Sequence, residues 1–141
     1  MIPENNTNNS KTNHALVARW GNHDALFSGR EGWLGVPDAF LRCYGKLQPY
    51  GLTTAEAMFV LQLMTYKWTE EAPFPSYTTL AKRMGVTPKM VRRYAKTLED
   101  KGYLKRKARI GSSNKFELQP LFDAVVQALQ TAPEIKQTRV M

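Results

Sequence analysis

The chain has 141 residues, a length typical of one domain, and 43% of them are hydrophobic, which is enough for a single core. Its formal net charge is +8, and that charge is concentrated: residues 82–115 hold twelve Lys or Arg against two acids, whereas the remainder sums to −2. This asymmetry argues against an ordinary basic surface and indicates a polyanionic partner, either nucleic acid or an anionic membrane. A single cysteine, Cys43, excludes an intrachain disulfide framework and a cysteine-based zinc site.

The N-terminal region differs in composition from the rest of the chain. Residues 1–14 are Asn-rich with almost no apolar side chains, so we predict a disordered tail. The tail lacks the apolar core of a signal peptide, and no later apolar run approaches the roughly 20 residues of a spanning helix, so we expect a cytoplasmic protein. Residues 15–34 hold Trp20 and Trp33 among glycines and form an irregular aromatic segment that packs either on the domain or on a partner.

The predicted domain covers residues 35–130, before a C-terminal tail at 131–141, and it begins with two helices. The segment 37–47 has the spacing of a short amphipathic helix. Its inner face comprises Phe40, Leu41, Tyr44 and Leu47. Thr53 then stands three residues before Glu56, a capping-box spacing, and opens a central helix over 54–68 whose nearly continuous apolar run predicts packing on several sides.

Two further helices are joined by a glycine turn. Ser76 is a candidate N-cap for a helix that ends at Gly85, where the left-handed conformation is cheap only for glycine. Thr87 and Pro88 open a second helix that ends at Gly102. The predicted inner-face residues are Leu80, Ala81, Met84, Val91, Tyr94, Ala95 and Leu98. Two helices so connected predict a helix-turn-helix.

A hairpin and a final helix follow. Leu104 stands beside charged residues, a Gly-Ser-Ser-Asn turn follows at 111–114, and Phe116 and Leu118 then alternate with Lys115 and Glu117, which predicts a two-stranded wing. A closing helix is expected at 120–130. One side of it carries Leu121, Val125, Val126 and Leu129. The predicted fold class is therefore mainly α with a small β-hairpin, a winged helix-turn-helix in the order α-α-α-α-β-β-α.

Four segments carry a resemblance to a known group of proteins: GVPDAFLR, GLTTAEAMFVLQLMTYKW, FPSYTTLAKRMGVTPKMVRRYAKTLEDKGYLKR and SSNKFELQPLFDAV. They resemble the winged helix-turn-helix domains of plasmid and phage replication initiators and of related mobile-element DNA-binding regulators. The resemblance covers residues 33–127, and VRRYAKTLEDKGYL is its most specific part. It implies sequence-specific binding of double-stranded DNA in replication initiation or transcriptional regulation of a mobile element.

A second interpretation stays open because the same fold serves many tasks. In it, the chain is a non-enzymatic winged-helix subunit of a larger nucleoprotein or protein assembly that contacts nucleic acid only through the backbone. Sequence dependence of the affinity separates the two interpretations, because backbone contacts alone depend on salt and not on base sequence.

The second helix of the helix-turn-helix, which Thr87 and Pro88 open, would be its recognition helix and supplies the main candidate DNA contacts. They are Thr87, Lys89, Arg92, Arg93 and Lys96. If the apolar face points inward, these side chains project outward, as in helices that read the major groove. We assign Arg92 and Arg93 to guanine O6 and N7, because a planar guanidinium makes both bonds at once, and Lys89 and Lys96 to phosphates. Thr87 has an alternative role as a helix cap alone.

Further candidates lie on the preceding helix and on the wing. Thr78, Thr79 and Lys82 lie on the preceding helix and are expected to meet the DNA backbone. The wing candidates are Lys105, Arg106, Lys107, Arg109 and Lys115. The alternative for the wing is a set of solvated cations that keep an edge strand from aggregating.

No pattern in the chain indicates catalysis. It has no glycine-rich phosphate loop, and its two histidines, His14 and His23, are nine residues apart, which is not a helical ligand pair. We therefore expect no enzymatic activity, no cofactor and no metal. The expected partner is double-stranded DNA and not a membrane. A homodimer or assembly partner, bound through the N-terminal segment or helix 120–130, is a further hypothesis, since a lone winged helix offers that helix little other core to cover.

Overall fold

The computed structural model describes residues 18–21, 26, 33–67 and 72–131. The chain divides into two compact units, Met1–Gly35 and Val36–Met141. In the first unit, residues 18–20 are helical and the Trp20 side chain is exposed. The predicted tail at 1–14, most of the segment 15–34 and residues 132–141 lie outside the described residues.

The described part of the second unit contains five α-helices and one hairpin. In chain order these are α1 (Asp38–Cys43), α2 (Thr54–Met64), α3 (Tyr77–Met84), α4 (Pro88–Asp100), β1 (Lys105–Arg109), β2 (Ser112–Glu117) and α5 (Gln119–Thr131). A 3-10 turn at Tyr44–Lys46 extends α1. The order α-α-α-α-β-β-α and the antiparallel pairing of the two strands confirm the predicted fold class.

Helix α1 is shorter than the sequence predicts and has a narrower buried face. Phe40 and Cys43 are buried, as is Leu47 beyond the 3-10 turn, and Tyr44 is half-buried. The assignment of Leu41 to the inner face is wrong, since its side chain is 51% exposed. A helix rotates by about 100° per residue, so position 41 points away from the face that carries Phe40.

Helix α2 begins as predicted and ends earlier. The Glu56 amide donates to the Thr53 hydroxyl at 3.1 Å, and the Thr53 amide donates to the Glu56 carboxylate at 2.9 Å, which confirms the capping box. The helix ends at Met64 and not at residue 68, and the Thr65 hydroxyl donates to the Gln62 carbonyl at 2.7 Å at this end.

The helix-turn-helix forms as its caps predict. The Ser76 hydroxyl accepts from the Thr79 amide at 3.0 Å, and the Thr87 hydroxyl accepts from the Met90 amide at 3.2 Å. Gly85 ends α3 with φ +69°, the left-handed conformation expected there. The residues that close the angle between α3 and α4 are at most 2% exposed: Leu80, Ala81, Val91, Ala95 and Leu98.

The wing turn lies earlier than predicted. Strand β2 begins at Ser112, so residues 112–114 are strand and the turn consists of Ile110 and Gly111. Gly111 has φ +69°, which permits so short a connection. The Phe116 amide donates to the Pro73 carbonyl at 2.8 Å and ties the wing to the loop before α3.

Helix α5 covers the core of its own domain. Leu121 and Val125 are buried, and the helix packs on α1. Val126 is 51% exposed, so it does not share the buried side with Leu121 as predicted. The expectation that α5 has little core of its own domain to cover, and therefore suits a partner copy, is wrong, because α5 packs on α1. The homodimer hypothesis itself stays a prediction.

Candidate nucleic-acid interface

The outward face of α4 is a compact cationic surface. Lys89, Arg92, Arg93 and Lys96 are all exposed, and at about 100° per residue they fall within about a 100° arc of the helix. The buried residues of α4 occupy the opposite arc. We call these four side chains the recognition face. Thr87, also exposed, precedes them as the N-cap, so its predicted cap role is confirmed.

The four cations differ in what surrounds them. Within the described ranges, neither Lys89 nor Arg93 has an acidic partner. Lys96 donates to Asp100 at 2.9 Å, and this hydrogen bond raises the pKa of its ammonium. Both side chains of that pair are more than 60% exposed, so water screens it and it holds Lys96 only weakly.

Arg92 leans toward the start of α3. Its guanidinium carbon lies 5.8 Å from the centre of the Tyr77 ring, a cation–π arrangement. In the part of the chain that the structure describes, no carboxylate pairs with Arg92. The side chain is exposed, and its N–H donors are therefore not engaged by a carboxylate.

The predicted backbone contacts on α3 occupy different environments. Thr78 and Lys82 are exposed. Thr79 is half-buried, and its hydroxyl accepts from the Ser76 hydroxyl at 2.9 Å as part of the helix cap. The structure therefore presents Thr78 and Lys82 to solvent and places the Thr79 side chain in the cap.

A cavity of about 330 Å³ lies between the helix-turn-helix and the wing. Residues 75–78, Arg92 and Phe116 line it together with Ser112, Ser113 and Asn114 of β2. The sequence interpretation missed these last three residues because it assigned them to the turn. Their strand position follows from the cross-strand register and not from any motif, so composition gave no signal for it.

The wing cations fall into two groups. Lys105 and Lys107 are exposed, and Lys107 forms a 2.9 Å ion pair with Glu117 on the neighbouring strand. Lys115 is half-buried and lies opposite Lys107 in the register. Arg109 is half-buried instead, with its guanidinium 4.1 Å from the centre of the Phe74 ring and a buried Nη1 that has no hydrogen-bond partner.

Arg106 points away from the solvent-facing side of the wing. Its Nε and Nη2 donate to the Glu99 carboxylate at 3.0 and 2.6 Å, and its Nη1 donates to the Tyr77 hydroxyl at 2.8 Å. The pKa of Glu99 is lowered, chiefly by this hydrogen bonding, and the pKa of Arg106 is raised for the same reason. The predicted wing cation thus links the end of α4 to the start of α3.

The described residues offer no second kind of site. No group of three or more His, Cys, Asp or Glu within them could hold a metal ion. None of the helices they form is long and apolar enough to cross a membrane.

Comparisons with known proteins agree with this architecture. Residues 50–104 match a protein family described as a helix-turn-helix domain. The matched range contains α2, α3 and α4 and ends where the wing begins. No curated protein matches the chain.

A solved structure is similar over most of the chain. The chain is similar to the N-terminal domain of DnaD protein from Geobacillus kaustophilus, with a TM-score of 0.57 and 24% identity. The alignment covers 90% of this chain and 97% of the other. A sequence identity of 24% indicates a shared fold and nothing further. The two comparisons support a winged helix-turn-helix domain, and the similarity to plasmid and phage initiators stays a prediction.

Proposed function

We propose that this protein binds double-stranded DNA in a sequence-specific manner through α4 and the wing. The observation that carries the proposal is the recognition face: four cations within one arc of α4, three of which have no carboxylate partner among the described residues. Charges placed on a helix for solubility alone are usually interspersed with acids. Here the acids of α4, Glu99 and Asp100, both lie in its last turn.

The arginines and the lysines of the recognition face have different proposed roles. Arg92 and Arg93 carry planar forks that match guanine O6 and N7 in the major groove, whose width admits an α-helix. Lys89 and Lys96 present point charges that suit phosphates on either side. Exposed Lys105 and Lys107 extend the cationic surface along the wing toward the flanking backbone.

The biological process is proposed from the sequence resemblance. Winged helix-turn-helix domains like this one occur in replication initiators of plasmids and phages and in regulators of mobile elements, so we assign the chain to replication initiation or transcriptional control of such an element. The match to a helix-turn-helix family and the fold shared with the DnaD N-terminal domain are compatible with both roles.

One experiment tests sequence-specific binding directly. The purified full chain is mixed with a pool of random duplexes, bound DNA is recovered over several rounds, and the enriched pool is sequenced. The affinity for the enriched duplex is then compared with that for a shuffled duplex across a salt series. We expect one enriched motif and a higher affinity for it at every salt concentration.

The same experiment identifies the alternative function. If no motif emerges and all duplexes bind with equal affinity and equal salt slope, the cations contact only the backbone. A non-enzymatic subunit of a nucleoprotein assembly would then be the better interpretation. No binding to any duplex at low salt would contradict both.

A further inference from the structure

Tyr77 lies between the two proposed DNA-contacting elements. Its ring is beneath the Arg92 guanidinium, at 5.8 Å, and meets Phe116 of β2 at a centroid distance of 5.9 Å. Its hydroxyl accepts from Arg106 Nη1 at 2.8 Å and from Asn114 Nδ2 at 3.4 Å. One side chain of α3 thus contacts the recognition face and both strands of the wing.

Glu99 attaches this group to the end of α4. Its two carboxylate oxygens each accept one hydrogen bond from Arg106, a bidentate geometry that fixes orientation as well as distance. The two side chains are only 23% and 31% exposed, so water competes less than at the neighbouring Lys107–Glu117 pair, where Lys107 is 62% exposed. We call Glu99, Arg106, Tyr77 and Asn114 the wing network.

We propose that the wing network positions side chains for sequence recognition by holding Arg92 and the wing at a fixed distance and orientation relative to each other. In this proposal Arg106 itself does not contact DNA. This inference rests on the proposed function and extends it. A hairpin joined to a helix by a short connection can hinge about that connection. Three hydrogen bonds from one guanidinium to two other elements restrict such hinging.

The consequence for binding is specific. Base readout needs recognition side chains held to within about 0.5 Å of their productive positions, whereas phosphate attraction tolerates displacement. Loss of the network should therefore lower affinity for the preferred duplex more than for random DNA. It should leave the number of phosphates contacted unchanged.

The variants are Arg106→Gln and Tyr77→Phe, with Lys107→Gln as the matched control. Lys107 is the next residue along β1, carries the same charge and pairs with Glu117 on the same hairpin, but its side chain is exposed. Tyr77→Phe removes only the hydroxyl and keeps the ring under Arg92, so it tests the network where Arg106→Gln fails to fold. Circular dichroism establishes that each variant is folded.

The binding measurement uses the duplex enriched from the random pool and its shuffled counterpart across a salt series. For Arg106→Gln we expect about a tenfold fall in the ratio of the two affinities, equivalent to losing one base contact, with an unchanged salt slope. For Lys107→Gln we expect an unchanged ratio and a slope flatter by about 0.9. Tyr77→Phe should follow Arg106→Gln in direction.

A second measurement does not depend on DNA. Nitroxide labels on Met90→Cys and Ile110→Cys report the distance between α4 and the wing tip by pulsed electron paramagnetic resonance. Both positions are exposed, and the native Cys43 is fully buried. The distance distribution should be narrow with the network intact and broader in Arg106→Gln and Tyr77→Phe, but not in Lys107→Gln.

Two outcomes would overturn the inference. A flatter salt slope with equal weakening on both duplexes would make Arg106 a phosphate contact. Unchanged affinity ratio and unchanged distance distribution would reduce the network to a role in stability. If no duplex is enriched, the proposed function fails, and the distance distributions still decide whether the network positions the wing.

Discussion

Lys101 and Glu56 form a shielded ion pair, with Lys101 Nζ 2.7 Å from Glu56 Oε1 and side chains only 18% and 5% exposed. Lys101 immediately follows α4, and Glu56 belongs to the capping box of α2. The same ammonium donates to the Gly51 carbonyl at 2.8 Å. The end of α4 is therefore anchored to the start of α2 by charge as well as by packing.

Lys101→Met should destabilise the domain by about 3 kcal/mol, because it leaves the Glu56 carboxylate buried without its cation. The free energy of unfolding in urea measures the effect. Lys96→Met is the matched control, since it removes the exposed cation of the Lys96–Asp100 pair on the same helix. It should leave stability nearly unchanged, and equal losses in the two variants would contradict this account of the anchor.

Leu98→Ala should destabilise the domain by about 2 to 5 kcal/mol, because a leucine with no exposed surface loses both transfer free energy and packing. A denaturant titration checks it, with Val126→Ala as an exposed aliphatic control. A shift below about 0.5 kcal/mol for Leu98→Ala would mean that the buried face of α4 has been assigned incorrectly.

Stability should fall in acid through Glu99. Its folded pKa is lowered by Arg106, so the pair contributes stability at pH values above the ordinary carboxyl value near 4.5 and loses it as the pH falls through the folded pKa. Urea unfolding from pH 7 to pH 3 measures this for the native chain and for Glu99→Gln. The difference in stability between them should be constant near neutrality and shrink in acid. A difference that is the same at all pH values would show that Glu99 does not titrate with folding.

The Cys43 thiol should be unreactive in the folded protein. Its side chain has no exposed surface, and burial raises the pKa of the thiol, so little thiolate forms. An aromatic disulfide reagent should label it only after denaturant is added. Rapid labelling without denaturant would mean that α1 opens readily from α5.

Substitutions on α4 and on the wing should change DNA affinity and its salt dependence in different ways. Arg93→Ala should cost about 1 to 3 kcal/mol on the enriched duplex and little on random DNA, because it removes a base contact. Lys105→Ala should weaken binding to both duplexes alike and flatten the salt slope by about 0.9. Equal weakening and a flatter slope for Arg93→Ala would instead show that the helix does not read sequence.

Local signals in the sequence determined much of this fold. Three helices begin at the N-caps Thr53, Ser76 and Thr87, and α3 ends at the left-handed Gly85. The sequence could predict these ends because each capping hydrogen bond joins residues that are close together in the chain. The 3.6-residue period likewise assigned the buried and exposed faces of α4. The apolar pattern placed Leu41 on the buried face of α1 and Val126 on that of α5, but both side chains are 51% exposed. A short helix, or one that is covered on part of its surface, buries a narrower face than its apolar residues indicate.

Only the tertiary structure decided what each cation does. Lys105, Arg106 and Lys107 are consecutive basic residues to which the sequence pattern assigned one role, yet Arg106 bonds to Tyr77, which is 29 positions away, while Lys105 and Lys107 are exposed. Lys101 meets Glu56 across 45 positions. The physical reason is that a cation is available to a ligand only when its side chain stays exposed and no shielded counter-charge holds it, and both conditions depend on how remote elements pack. The sequence determined how much positive charge this region carries, and the packing of α2, α3 and the wing determined which of it faces outward.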